Sequence, residues 1–178
     1  MRIVVSGTHA SGKSTLVAAF ATAHPGFAVL GDPAEAFDEP GSDASSFVAQ
    51  LRLASSRLLA RPAAPRLIAE RGPLDFLAYL GALDLLRRPG RADVPERDRM
   101  RAADALATLD LLVLLPLSPR DGIHVPDDED PELREAMEEV LLELADDPDL
   151  VGDVPVLELG GSPEQRLAAL EAAALTPE

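Results

Sequence analysis

The chain holds one lysine, Lys13, and it stands in Gly7-Thr8-His9-Ala10-Ser11-Gly12-Lys13-Ser14, followed by Thr15. The spacing is G-x-x-x-x-G-K-[ST]. Its glycines let the backbone curl so that consecutive N–H groups and the start of the next helix face an anion. Lys13 would reach the β- and γ-phosphates as a compact charge, and the Ser14 hydroxyl would serve Mg²⁺. Every other Lys or Arg is an arginine, whose broad planar fork suits that confined position poorly. Residues Gly7 to Thr15 are therefore expected to hold the phosphates of a nucleotide. Guanine readers use Asn-Lys-x-Asp, and the chain has no Asn and no second Lys. ATP with Mg²⁺ is the expected pair.

A loop of this kind must be held by a strand and a helix. Residues 2–6 form a β-branched run ending at Gly7, and Leu16, Ala19, Phe20 and Ala23 recur at helical spacing up to Pro25-Gly26. Residues 27–31 predict a second strand. Phe47, Leu51, Ala54 and Leu58 share a helical face that ends before Pro62-Ala-Ala-Pro65, and 66–69 is a third strand running into Glu70-Arg71-Gly72-Pro73. Pro73 suits the first turn of a helix reaching about Arg88, ahead of Pro89-Gly90, and another helix is expected over 95–107. Strands over 111–115 and 154–159 flank a helix begun by Asp130-Pro131-Glu132, and Ser162-Pro163-Glu164-Gln165 reads as a capping box. Short aliphatic strands alternating with helices predict a mainly parallel five-stranded α/β sheet covered on both faces, a three-layer sandwich in one domain over 1–178. Ligands of such sheets sit at the carboxyl ends of the strands, so the motifs that follow strands should meet on one rim.

Composition narrows the function classes. At 178 residues with 47% hydrophobic and 3% aromatic content, the core must be aliphatic, and the absence of cysteine removes disulfides and thiolate chemistry. The start shows no apolar leader and no run near the ~18 residues of a membrane span, so a cytoplasmic protein without membrane contact is expected. A net charge of −15 argues against a nucleic-acid partner. The charge is uneven: residues 1–31 contain no Asp or Glu, whereas 127–149 contain twelve acids and one arginine.

GTHASGKST together with ERGPLDFLAY (70–79) resembles the nicotinamide-riboside-kinase-like AAA ATPase domains of the P-loop class, which are related to deoxynucleoside and thymidylate kinases. The resemblance implies phosphoryl transfer from ATP to a small hydroxyl-bearing acceptor, nucleoside-like or a natural-product analogue. It implies that Glu70 helps hold Mg²⁺ with Ser14, that Arg71 contacts phosphate, and that Asp75 occupies an acidic substrate-side position. Asp32 would be the base for the acceptor hydroxyl, although Glu35 stands where relatives carry an arginine. Gln50 would read the acceptor's ring, and backbone near Gly161 would meet adenine. The segment 116–131 corresponds to a lid. There the family's Asp-Gly-x-Arg is replaced by Asp121-Gly122-Ile123-His124, leaving Arg120 and Arg134 as substitutes. His9 and His24 lack any metal-ligand pattern and read as structural. The alternative is a nucleotide-responsive switch acting through a protein partner, and a homodimer is also left open.

Overall fold

The computed structural model describes residues 1–38, 41, 43–60, 64–88, 94–117 and 130–175. Most of the expected lid, with Arg120, Asp121-Gly122-Ile123-His124 and the acids at 127–129, lies outside the described residues, as do Pro62 and Pro89-Gly90.

The aliphatic runs form five strands: β1 (Arg2–Ser6), β2 (Ala28–Leu30), β3 (Leu67–Glu70), β4 (Leu111–Leu114) and β5 (Val156–Glu158). All neighbours pair in parallel, in the order β2-β3-β1-β4-β5. Between them run α1 (Lys13–Ala23), α2 (Ala44–Leu58), α3 (Pro73–Leu85), α4 (Glu96–Leu106) and α5 (Pro131–Ala145), and α6 (Pro163–Leu175) follows β5. The expected alternation of strand and helix is thus observed. Both edge strands are shorter than the sequence predicts, since each has one neighbour to fix its ladder.

Helix ends follow from local chemistry. Asp43 and Asp130 cap α2 and α5 by accepting from Ser46 N at 2.8 Å and Leu133 N at 3.1 Å. Helix α3 stops short of Arg88 because Arg87 turns left-handed (φ +52°). Its N–H then returns to Asp84 O at 2.9 Å and that of Arg88 to Leu83 O at 3.0 Å, a Schellman closure. Pro33–Ala36 is a 3₁₀ turn capped by Asp32.

Successive strand residues point to opposite layers. Ile3, Val5, Ile68 and Val113 pack with Leu16, Val17 and Phe20 of α1 and Leu170 of α6. Val4, Leu67, Ala69, Leu112 and Leu114 face α2, α3, α4 and α5. With every central strand covered on both sides, the sheet is a rigid frame. Its register sets Val5 beside Glu70 and Ser6 beside Leu114, so Gly7, Glu70 and Leu115 leave the sheet at one level. Among the described residues no helix is long and apolar enough to cross a membrane.

Candidate active site

The loop from Gly7 to Gly12 joins β1 to α1 in a conformation only its sequence tolerates. Gly7 has φ +155°, and a Cβ there would lie 2.7 Å from Ser11 Oγ and 3.0 Å from Leu115 O. Gly12, the residue before α1, is left-handed at φ +90°, and Ala10 shares that region at φ +50°. Four successive carbonyls, Thr8 to Ser11, are turned onto donors. Thr8 O accepts from Lys13 Nζ at 2.5 Å, His9 O from Arg134 Nε at 3.0 Å, Ala10 O from Arg134 Nη2 at 3.3 Å, and Ser11 O from Arg166 Nη1 at 2.7 Å. With their oxygens held in this way, the N–H groups of Ala10, Ser11, Gly12 and Lys13 donate to no protein acceptor among the described residues. Unpaired amides at a helix start form a nest for an anion.

Lys13 is 4% exposed. Burial, then the neighbouring Arg71, lowers its pKa to about 7, while Asp75, Glu70 and Asp32 pull the other way. Among the described residues its ammonium touches the Thr8 carbonyl and Ser11 Oγ (3.3 Å) and no carboxylate. Exposed Ser14 donates to Glu70 Oε1 at 2.6 Å, across from the end of β3. Mg²⁺ is commonly bound by one or two protein oxygens with phosphates and waters supplying the rest, and the Ser14–Glu70 pair fits that pattern. No larger cluster of acids or histidines able to hold a metal exists among the described residues.

Arg71 follows β3 with φ +60°, a strained conformation for a side chain with Cβ. The strain turns its buried guanidinium into the site. There Nε lies 3.0 Å from Asp32 Oδ2, at an angle too poor for a hydrogen bond, and the group sits 5.4 Å from the Tyr79 ring centre. The other Asp32 oxygen caps its own turn by accepting from Ala34 N at 2.9 Å. His9 is exposed on the loop. Desolvation by its surroundings, then Arg71 and Lys13, lowers its pKa to about 4, so the imidazole is neutral at pH 7.

Asp75 is placed differently from the sequence expectation. It is fully buried, and its carboxylate accepts from Ser6 Oγ (2.6 Å), Gly7 N (2.9 Å) and Gly72 N (2.9 Å). It braces the end of β1 against the start of α3, and with no exposed surface it is not placed to touch a substrate. Burial raises its pKa while Arg71, Lys13 and the hydrogen bonds oppose the rise.

Gln50 is on α2 as expected and buried, and its amide makes no hydrogen bond among the described residues. Phe47, one turn earlier, stacks on Tyr79 with centroids 4.6 Å apart. Gly161 (φ +91°) precedes α6, where the capping box forms as read: Ser162 N donates to Gln165 Oε1 at 2.9 Å and Gln165 N to Ser162 Oγ at 3.3 Å. Thr15 is exposed in the first turn of α1. Sequence reasoning missed three participants. Tyr79 accepts from His9 N at 3.2 Å, Arg166 holds Ser11 O, and Ser6 joins the Asp75 brace. The one available signal was that Tyr79 is the sole tyrosine. A groove of about 970 Å³ lies elsewhere, beside Met1, Asp110, Val151, Val154 and Ala173, near the amino ends of β4 and β5, and shares no residue with this site.

Comparison with known proteins agrees with this geometry at the level of fold. Deoxyadenosine kinase from M. mycoides with bound dATP superposes with a TM-score of 0.72 at 16% identity, covering 99% of this chain and 100% of that one. The same enzyme with bound dCTP gives a TM-score of 0.70 at 17% identity, covering 98% of each chain. Thymidylate kinase from Candida albicans gives 0.67 at 16% identity, covering 96% of this chain and 89% of that one. No curated protein sequence matches significantly. Residues 2–166 match the family model described as an AAA domain. The chain therefore belongs to that AAA domain family, with the five-stranded parallel fold that the nucleoside and thymidylate kinases share.

Proposed function

We propose that the protein is an ATP-dependent kinase that transfers a γ-phosphoryl group to a hydroxyl of a small acceptor, nucleoside-like or a natural-product analogue. One observation carries the reading. Unpaired amides, the Lys13 ammonium, the Ser14–Glu70 oxygens and the Asp32–Arg71 pair all converge on one rim of the sheet. In this reading the loop and Lys13 bind the β- and γ-phosphates. Ser14 and Glu70 would hold Mg²⁺, which when bound neutralises charge on the β- and γ-oxygens. Arg71 would bind a phosphate oxygen with its terminal nitrogens, which have no protein partner among the described residues. The acceptor oxygen forms a bond to the γ-phosphorus as the bond to the β-bridging oxygen breaks, and its proton passes to Asp32. Catalysis is then chiefly positioning and charge neutralisation.

The likenesses to kinases of deoxynucleosides and thymidylate support a nucleoside-like acceptor. Gln50 on α2, without a hydrogen bond among the described residues, and a backbone contact near Gly161 are proposed for the acceptor ring and adenine. The test is ADP release from Mg·ATP with a panel of nucleosides, nucleotides and ring-bearing alcohols. Stimulation by at least one member is expected. Tight ATP binding with no acceptor-dependent ADP release would defeat the kinase reading in favour of a nucleotide switch.

A further inference from the structure

The amides of the nest meet no protein acceptor among the described residues, and the donors that hold its carbonyls come from distant parts of the chain. Arg134 lies on α5, in the layer that packs against Val4 and Leu112. It reaches over the rim, and its Nε and Nη2 donate to His9 O and Ala10 O, at 3.0 and 3.3 Å. Arg166 lies on α6, in the opposite layer with α1 and Phe20, and is 4% exposed. Its Nη1 donates to Ser11 O at 2.7 Å across 155 residues of sequence. His9 O also takes the Thr8 hydroxyl at 3.2 Å, and Thr8 O is held from inside by Lys13. Three consecutive peptide oxygens are thus fixed by guanidinium groups, one from each helical layer of the sandwich.

A peptide plane is rigid, so fixing its oxygen fixes the direction of the N–H on its other end. The planes whose oxygens belong to His9, Ala10 and Ser11 carry the N–H groups of Ala10, Ser11 and Gly12, the same amides left without protein acceptors. Charged donors to carbonyls make strong hydrogen bonds. Two of them from Arg134 in a planar fork determine orientation as well as distance.

We propose that Arg134 and Arg166 form an outer clamp that preorganises the phosphate loop: positioning residues that touch its carbonyls rather than the nucleotide, and so aim its amides at the phosphates. This rests on the reading of Gly7–Ser14 as the nucleotide phosphate site and extends it to two residues of α5 and α6. The clamp also ties the loop to α6, whose capped start at Ser162 carries Arg166 one turn on, with Arg166 N donating to Ser162 O at 3.0 Å. Phosphate binding is therefore sensitive to a helix that does not itself reach the phosphates.

The experiment is calorimetric titration of Mg·ADP and of inorganic tripolyphosphate into the wild type, Arg134→Ala, Arg134→Lys, Arg166→Ala and Arg166→Lys. Ligand-free melting is measured on each as the structural control. The clamp predicts about a tenfold or greater loss of affinity for both ligands in Arg134→Ala, with the ligand-free melt nearly unmoved. Arg134→Lys keeps the charge but cannot hold two carbonyls, and should stay at least threefold weaker than wild type. Arg166→Lys, which needs to reach one oxygen, should recover most of what Arg166→Ala loses; it also covers the case in which the alanine variant does not fold. Full rescue by Arg134→Lys would overturn the clamp in favour of simple charge attraction, and wild-type affinity in both alanine variants would overturn it outright. A wild type that binds neither ligand would instead remove the phosphate-site reading on which the clamp stands.

Discussion

Lys13 is the residue whose environment says most about its task. An ammonium pressed by desolvation and by Arg71 to a pKa of about 7, with no carboxylate in contact among the described residues, gains a strong partner when an anion arrives. Phosphate oxygens would draw that pKa upward, so nucleotide binding at pH 8.5 should take up a proton. Titration in two buffers of different ionisation enthalpy measures the uptake, and equal heats in both would contradict it. The same shift bears on the ligand-free fold. Between pH 7 and 10.5 the unfolded lysine holds a proton that the folded one has released, so this group's contribution makes the fold more stable as pH rises through that window. Lys13→Ala should weaken Mg·ATP binding about 100-fold, the scale of losing charge-assisted hydrogen bonds. Asp32→Asn separates chemistry from binding: ATP affinity within about threefold of wild type and transfer lost if Asp32 takes the proton. A matching fall in ATP affinity would place Asp32 with the donor.

At the scale of elements, close approach of β1 to the turn before α3 decides how the site is held. Gly72 has ordinary extended backbone, but a Cβ there would come within 2.8 Å of Val4 Cγ1, and Val4 is fully buried between the layers. Gly72→Ala should therefore cost roughly 1–3 kcal/mol, the usual penalty for overpacking, and should displace Gly72 N from Asp75. Urea denaturation measures it, and a midpoint shift under a few tenths molar would show that Val4 yields. The central strands were legible because burial on both faces forces aliphatic runs, and two helix starts because the caps Asp130 and Ser162 act within a few residues. The phosphate loop was legible for the same local reason. Arg166 and the true place of Asp75 were not, since one is 155 and the other 69 residues from the atoms it holds. A carboxylate five residues after a strand looks the same in sequence whether it faces substrate or braces a loop. The burial of Gln50 was not legible either, because a single polar residue on a helix carries no sign of which neighbours will cover it.

At the scale of the molecule, the question is whether a ligand at one rim is felt by the whole sheet. The loop is tied to both helical layers, through Arg134 and Arg166, and to β3 and α3 through Asp75, so a bound nucleotide stabilises the native state as one unit. Ligand at a hundred times its dissociation constant adds about 2.7 kcal/mol. For a domain of this size that corresponds to roughly 5–10 °C in melting temperature. The chain supplies its own reporter: Tyr79 is the only tyrosine, tryptophan is absent, and its hydroxyl accepts from His9 N inside the loop. Mg·ADP should raise the melting temperature by that amount and change tyrosine emission with the same concentration dependence, and Lys13→Ala should lose both effects together. A melting shift without any change in emission would put the ligand away from the loop, with the groove beside Asp110 and Val154 as the place to look. The two signals must share one binding curve if the rim formed by Gly7, Glu70 and Asp32 is where the nucleotide sits.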